Sequence, residues 1–381
     1  MRILIIHQWL WAHYKAKIYS ELQTIVNKNN DKLLVLQTSA NELTRAKLGK
    51  ADERIHQYDY KLLYDEYYEN ISNFRRFKAM FYWVRKFKPD VVNISGYYEP
   101  AMNLILLYCK LSGIKVVISI DSTESDNPNV GWREKVKSLV VNMGNGFFCY
   151  GSKSAEYMYK LGISPEKILL KNNAVDNQKV ASIYQEAQKS REIKKNILGL
   201  RKYNFIYVGR LIKFKNIDNL LAAYKNLNTP DWGLIILGNG SEEEKLKHYV
   251  SENQLEGVCF VDGKQWFEVP EYMALADIFI LPSFSEPWGL VVNEAMACGM
   301  PVLVSEKCGS APDLVHENKN GFKFDPFDVV QMTEKMNEFV LKPEIIEPFG
   351  LKSKQIIQNF SPEKVAEEMW AGFKKVVTKG V

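Results

Sequence analysis

Short apolar runs rich in Ile, Val and Leu recur along the chain, separated by longer segments whose apolar positions fall at three- and four-residue steps. Runs of four to eight apolar residues are the sequence form of strands buried on both faces, and the longer periodic segments are that of amphipathic helices. Their alternation predicts an α/β protein with parallel sheets flanked by helices. One series of strands is predicted near Arg2 to Ile6, Lys32 to Gln37, Asp90 to Ser95, Lys115 to Asp121, Gly146 to Tyr150 and Lys167 to Leu170. A second follows at Asn204 to Val208, Gly233 to Leu237, Val258 to Val261, Asp277 to Leu281 and Pro301 to Ser305.

Between the two series, Asn172 to Arg201 is polar, rich in Lys and Gln, and without a clear strand. It places a domain boundary near residue 195, giving domains 1–195 and 196–361. Ser361-Pro362-Glu363 reads as an N-cap followed by proline at the first helical position, opening a closing helix over 362–381 that joins the first domain. Open parallel sheets take their ligands beyond the carboxyl ends of their strands. The chemistry is therefore expected on strand-to-helix loops lining a cleft between the domains.

Composition changes this picture little. The 381 residues exceed the roughly 250 to 300 at which a single core stops growing, and 46% hydrophobic with 25% charged residues is a globular composition. The cysteines, Cys109, Cys149, Cys259, Cys298 and Cys308, are scattered and never form C-x-x-C, which argues against a disulfide framework and a zinc site and for a reducing compartment. The first residues run straight into a strand pattern with no leader, and no apolar run approaches the roughly 20 residues of a membrane span. A cytoplasmic location is expected.

A net charge of +5 is too small to call for nucleic acid, but it is unevenly placed. Phe74 to Lys88 carries Arg75, Arg76, Lys78, Arg85, Lys86 and Lys88 with no acid, and its apolar residues recur at helical spacing. Such a helix either packs on its own sheet with basic flanks in water or lies against an anionic membrane surface.

The segment Asp277 to Val315 carries the densest chemistry. A strand ends at Pro282-Ser283, the loop Phe284-Ser285-Glu286-Pro287-Trp288-Gly289 follows, and an apolar helix runs from near Leu290 to a glycine cap at Gly299. Gly289 permits close backbone approach, and the free N–H groups and dipole of the helix starting at Leu290 suit a phosphate. Glu294 lies about one turn inside that apolar helix, where a carboxylate requires a partner. Paired sugar hydroxyls would serve, and Glu286 is placed for a second sugar. The plain alternatives are that Glu294 caps a neighbouring loop and that Glu286 is solvated.

A second loop supports the same reading. Gly209-Arg210-Leu211-Ile212-Lys213-Phe214-Lys215 lies between a strand and a helix. Arg210 and Lys215 could stabilise charge growing on a departing diphosphate without a metal. The Gly238-Asn239-Gly240-Ser241 turn precedes three glutamates that would repel an anion, so it reads as structural, with Ser241 and Glu244 as a capping box.

Ser283 to Val302, S-F-S-E-P-W-G-L-V-V-N-E-A-M-A-C-G-M-P-V, resembles the E-x7-E signature of the retaining glycosyltransferases of family 4. The resemblance implies the GT-B fold, two Rossmann-like doubly wound domains, with acceptor binding in the first and nucleotide-sugar binding in the second. It implies a retaining, metal-independent hexosyl transfer from a UDP- or GDP-linked sugar to a saccharide or lipid-linked acceptor, as in bacterial cell-surface polysaccharide synthesis, with no further cofactor.

Glu294 would bind the ribose, and Glu286 with the backbone just after it, at Trp288, Gly289 and Leu290, would face the sugar and diphosphate. Arg210 and Lys215 resemble the diphosphate-binding pair that follows Gly209, and Gly263 corresponds to a segment near the base. The N-terminal half departs from the family pattern. Its first loop, His7 to Tyr14, has no glycine but holds Trp9 and Trp11, suited either to stacking on an acceptor or to packing. Asp121 stands where relatives place a His or Asp on the donor sugar; otherwise it caps a turn. A nucleotide-sugar epimerase of the same fold and a non-catalytic nucleotide-sugar-binding protein would carry the same residues.

Overall fold

The computed structural model describes residues 1–43, 52–124 and 131–379. The chain divides into two compact units, Met1–Val175 with Ser361–Val381, and Asp176–Phe360.

The first unit holds β1 Arg2–Trp9, β2 Lys32–Ser39, β3 Tyr60–Leu62, β4 Val91–Ser95, β5 Lys115–Ile120, β6 Gly146–Cys149 and β7 Ile168–Lys171. All run parallel, in the order β3-β2-β1-β4-β5-β6-β7. Its helices are α1 His13–Lys28, α2 Asn73–Phe87, α3 Pro100–Leu111, α4 Trp132–Val141 and α5 Ser152–Lys160. Side chains alternate across the sheet, so Ile3 and Ile5 of β1 pack with α1, while Leu4 and Ile6 pack with α2 and α3.

The second unit begins with α6 Asn177–Gln188 and α7 Arg191–Ile197. Its strands are β8 Tyr203–Val208, β9 Trp232–Leu237, β10 Val258–Val261, β11 Ile278–Leu281, β12 Val302–Ser305 and β13 Gly321–Phe324. They form a parallel sheet in the order β10-β9-β8-β11-β12-β13. The helices between and after them are α8 Ile217–Leu227, α9 Glu243–Glu252, α10 Val269–Met273, α11 Leu290–Cys298, α12 Ala311–Leu314, α13 Val329–Leu341 and α14 Ile346–Ile357.

The last helix, α15 Pro362–Lys379, lies in the first unit, burying Val365, Ala366, Met369, Phe373 and Val376 in the core beside α1. At about 1.5–3 kcal/mol per large apolar side chain, this burial holds the chain end there.

The boundary expected near residue 195 falls instead between Val175 and Asp176. The polar stretch forms α6 and α7, and these belong to the second unit because their polar side chains have partners there. Gln188 Nε2 donates to the Ala274 carbonyl at 3.1 Å, and Arg191 pairs with Asp277 at 2.6 Å. Asn177 Nδ2 donates to the carbonyls of Ile357 and Phe360. Two edge strands were not foreseen. β3 and β13 are three and four residues long and contain Lys61 and Lys323, so neither makes an apolar run.

Candidate active site in the C-terminal unit

The strand order reverses between β8 and β11, which pair directly. Open α/β sheets take ligands at such a switch point, and the loops meeting there are those singled out by sequence. The β8–α8 loop is shaped by its neighbour. Gly209 N–H donates to the Leu237 carbonyl at 3.0 Å, and Leu211 N–H to that of Asn239 at 2.9 Å. A Cβ at Gly238 would lie 1.8 Å from the Gly209 carbonyl oxygen, and one at Gly240 would lie 2.1 Å from that of Leu211. The glycines after β9 thus serve close packing of backbone on backbone, in line with the structural reading of that turn. The capping box does not form: α9 starts at Glu243 after Glu242, and no side chain caps it.

Lys215 is held by its neighbours. Asn216 adopts a left-handed conformation, φ +59°, and its buried amide donates to the carbonyls of Pro282 at 3.0 Å and Pro326 at 2.8 Å. Phe284 N–H donates to the Phe214 carbonyl at 2.9 Å. These bonds tie the β8–α8 loop to the end of β11, and the Lys215 ammonium pairs there with the Glu286 carboxylate. Both side chains are about 15% exposed, so neither charge is solvated as a surface group would be. The alternative of a freely solvated Glu286 does not hold. Arg210 is exposed and makes no ion pair among the described residues.

A third loop fixes Glu286. Gly309 N–H, beyond β12, donates to the Glu286 carbonyl at 2.8 Å, and Ser310 N–H to that of Trp288 at 3.1 Å. Cys308 Sγ lies 2.9 Å from the same Trp288 oxygen. A Cβ at Gly309 would fall 1.7 Å from the Pro287 oxygen, so only glycine fits. Gly289, at φ +87°, then turns the chain into α11, whose first N–H groups, at Leu290 and after, point out of the helix start.

The Trp288 side chain is buried and its Nε1 donates to Asn293 Oδ1 at 2.8 Å, which leaves only its backbone to face a ligand.

Glu294 lies on α11 with no hydrogen bond or ion pair among the described residues. It caps no loop. Burial pushes its carboxyl up to about 8, so near neutral pH the protonated form dominates. Gly263, after β10, donates its N–H to Asn239 Oδ1 at 2.6 Å, which joins that loop to the one after β9.

Asp121 belongs to the other unit, as the exposed first residue after β5. In the same unit Trp9 packs edge-on to Tyr68 and Trp11 to His13, at 5.9 and 5.7 Å between ring centres. The structure thus gathers Arg210, Lys215, Glu286, Gly289 and Leu290 on two adjoining loops. Asn216 and the Cys308–Ser310 segment were missed, although an Asn directly before a helix and a Gly-Ser before Ala311-Pro312 mark tight backbone geometry.

Two parallel-sheet Rossmann-like units define the GT-B glycosyltransferase fold. Among solved structures the chain is similar to a glycosyltransferase from Rickettsia africae, with a TM-score of 0.76 and 13% identity over 99% of each chain. It is also similar to Anabaena HepE in complex with UDP, with a TM-score of 0.76 and 17% identity over 98% of this chain and 100% of that one. These identities speak to the fold alone.

Residues 188–359 match the model of the family described as glycosyl transferases group 1. An uncharacterized glycosyltransferase of Haemophilus influenzae is 31% identical over 47% of this chain and 51% of its own length. A galactosyltransferase of Escherichia coli, described as UDP-Gal:alpha-D-GlcNAc-diphosphoundecaprenol alpha-1,3-galactosyltransferase, is 25% identical over 68% of each. The chain spans about half the length of the first of these relatives and of others such as Bacillus subtilis spore coat protein SA, 54% of which is matched.

Proposed function

We propose that the chain is a retaining glycosyltransferase of the family 4 type, moving a hexosyl group from a UDP- or GDP-linked sugar to a saccharide or lipid-linked acceptor. The observation that carries this reading is the Lys215–Glu286 pair at the β8/β11 switch point, beside the start of α11 and the exposed Arg210.

In the reaction the bond from the anomeric carbon to the diphosphate oxygen breaks with its electron pair leaving on the diphosphate. A bond to an acceptor hydroxyl oxygen forms on the same face of the sugar, and the hydroxyl proton is released. Arg210, Lys215 and the positive end of α11 would oppose the charge that builds on the leaving oxygens, a role that fixed cations and N–H groups fill without reorganising and that here needs no metal. Glu286 would accept hydrogen bonds from the sugar while holding Lys215 in place. Once ionised on binding, Glu294 would accept both ribose hydroxyls, gaining a partner that the described residues do not supply. Asp121 is kept as the candidate contact from the N-terminal unit, which would bind the acceptor.

The test is a thermal-shift series with UDP and GDP, because a ligand of the folded state raises apparent stability. One of them should raise the melting temperature of the wild type, and Arg210→Ala and Glu294→Gln should lose most of that shift. Turnover with a sugar nucleotide, with and without acceptor, separates transfer from epimerisation and from mere binding.

Glu294 has a second expected signature. Because its folded pKa lies above the unfolded value, the native state binds more protons than the unfolded state between about pH 4.5 and 8, and stability falls as pH rises through that window. Without ligand, Glu294→Gln should remove part of that decline; parallel pH profiles for the two proteins would show that the carboxyl is not buried.

A role at the cytoplasmic face of a membrane would fit a lipid-linked acceptor. No helix among the described residues is long and apolar enough to cross a membrane. The apolar face of α2 is occupied, because Met80 and Val84 are buried and Phe77, Phe81 and Phe87 pack on the core. Arg75 and Arg76 pair with Glu66 and Glu99. What remains for a lipid surface is the basic edge of Lys78, Arg85, Lys86 and Lys88 with the exposed rings of Phe74 and Tyr82. Wild type should sediment with anionic vesicles at low salt, and Arg85→Glu with Lys86→Glu should reduce this at least severalfold. Absence of sedimentation by the wild type would remove the membrane from the proposal.

A further inference from the structure

Three phenylalanines stand at the carboxyl ends of the second unit's strands, each on a different loop: Phe214 after β8, Phe284 after β11 and Phe327 after β13. Phe214 and Phe327 are 66% and 65% exposed. The rings of Phe284 and Phe327 stack, with 4.7 Å between centres and 20° between planes. The backbone bond from Phe284 N–H to the Phe214 carbonyl, 2.9 Å, joins the third phenylalanine to this pair.

The loops are fixed from beneath. The buried Asn216 amide bonds to the carbonyls of Pro282, two residues before Phe284, and Pro326, directly before Phe327. Asn219 Nδ2 donates to the same Pro326 oxygen at 3.0 Å, and Asp325 Oδ1 accepts from Phe327 N–H at 3.0 Å. One buried side chain thus ties together three loops that each carry a phenylalanine. Single exposed apolar residues are ordinary on a protein surface, but a cluster assembled from three restrained loops is a surface with an occupant. Because the loops are already ordered, little freedom is lost when that occupant binds.

Its chemistry follows from size, charge and position. Two rings of about 150–250 Å² each when fully covered fall well short of the roughly 800 Å² per partner of a stable protein interface, so a second copy is a poor fit. Exposed Lys213 directly precedes Phe214 and exposed Asp328 directly follows Phe327, a mixture of signs that gives an anionic lipid surface no net attraction. A neutral sugar matches both features. Its C–H face meets the negative π face of a ring, and the hydroxyls at its rim meet a donor such as Lys213 and an acceptor such as Asp328. Phe214 directly precedes Lys215 and Phe284 lies two residues before Glu286, so the rings are continuous with the candidate active site.

We propose that Phe214, Phe284 and Phe327 form an aromatic platform that binds a neutral hexose ring beside the Lys215–Glu286 pair. The ring belongs either to a saccharide acceptor or to the donor sugar, sources that rest on the function proposed above; the platform itself does not depend on that function.

The test is saturation-transfer NMR on the full chain, with neutral disaccharides of glucose, galactose and mannose as probes. At least one should receive saturation at its ring C–H protons. Phe214→Leu with Phe327→Leu should lower its affinity about fivefold or more, because leucine keeps apolar surface and removes the π face. Absence of transfer to every disaccharide with the wild type, or unchanged affinity in the leucine variant, would overturn the proposal. So would a dimer in sedimentation velocity that the leucine variant loses, which would assign the surface to a second copy. Phe327→Leu alone serves if the double variant does not fold.

Titration with UDP, GDP, UDP-glucose and GDP-mannose separates the two sources. A loss confined to a sugar nucleotide, with UDP and GDP bound as before, assigns the ring to the donor sugar. Unchanged affinity for all four with disaccharide binding lost assigns it to the acceptor. If none of the four binds the wild type while a disaccharide does, the function proposed above fails and the platform stands.

Discussion

Lys215→Met is expected to lower kcat by about 10²–10³-fold or more, the loss typical of removing one fixed donor to charge that develops in the transition state. The variant is also expected to be less stable. Removing one partner of a fully buried ion pair costs about 3–5 kcal/mol, because the remaining charge stays desolvated. With some 15% of each side chain exposed, the cost at Lys215 should fall below that range.

The two effects can be separated. Pairing Lys215→Met with Glu286→Gln removes the orphaned carboxylate, so urea unfolding should recover most of the lost stability while activity stays low. If the double variant regained activity, Lys215 would serve only to neutralise Glu286 and would have no part in the reaction.

Gly309→Ala is expected to be the most damaging small change outside the charged residues. The added carbon would sit 1.7 Å from the Pro287 carbonyl oxygen, a backbone atom that cannot swing aside as a flexible side chain would. The loops after β11 and β12 would have to part, breaking the bond from Gly309 N–H to the Glu286 carbonyl and that from Ser310 N–H to the Trp288 carbonyl. Overpacking of this kind costs about 1–3 kcal/mol, and here it also displaces Glu286 and the start of α11.

Nucleotide affinity should therefore fall together with stability. Gly113→Ala is the control: its backbone is also left-handed, at φ +74°, but nothing lies within 4 Å of the new carbon. It should cost about 1–2 kcal/mol of conformational strain and leave nucleotide affinity unchanged, as measured by denaturant unfolding and titration with UDP or GDP. Equal loss of affinity in both variants would mean that the loop contact does not govern the site.

Much of the site was legible because it is built from short segments. Glu286 and Glu294 lie eight positions apart on one loop-to-helix stretch, and Gly289 between them marks the turn. Arg210 and Lys215 share a single loop in the same way. The direction of the Trp288 side chain was not legible for the opposite reason. A tryptophan in a polar loop can turn either way, and only the bond to Asn293 and the packing on Phe360 show that it turns inward.

The extent of the second unit was misplaced because α6 and α7 are polar on most sides. They are held there by a few long-range bonds such as Gln188 to Ala274, and no apolar stripe announces them.

The amino-acid sequence by itself determined the class of fold, since apolar runs and helical periodicity are local properties and their alternation leaves parallel α/β sheets as the arrangement that buries both. It also determined which loops carry charge and glycine. Only the tertiary structure decided what those charges meet. Lys215 and Glu286 are 71 positions apart and become a pair because β8 and β11 lie side by side at the strand-order reversal. Glu294 is left without a hydrogen bond or ion pair among the described residues, and its burial is what makes its charge costly to keep.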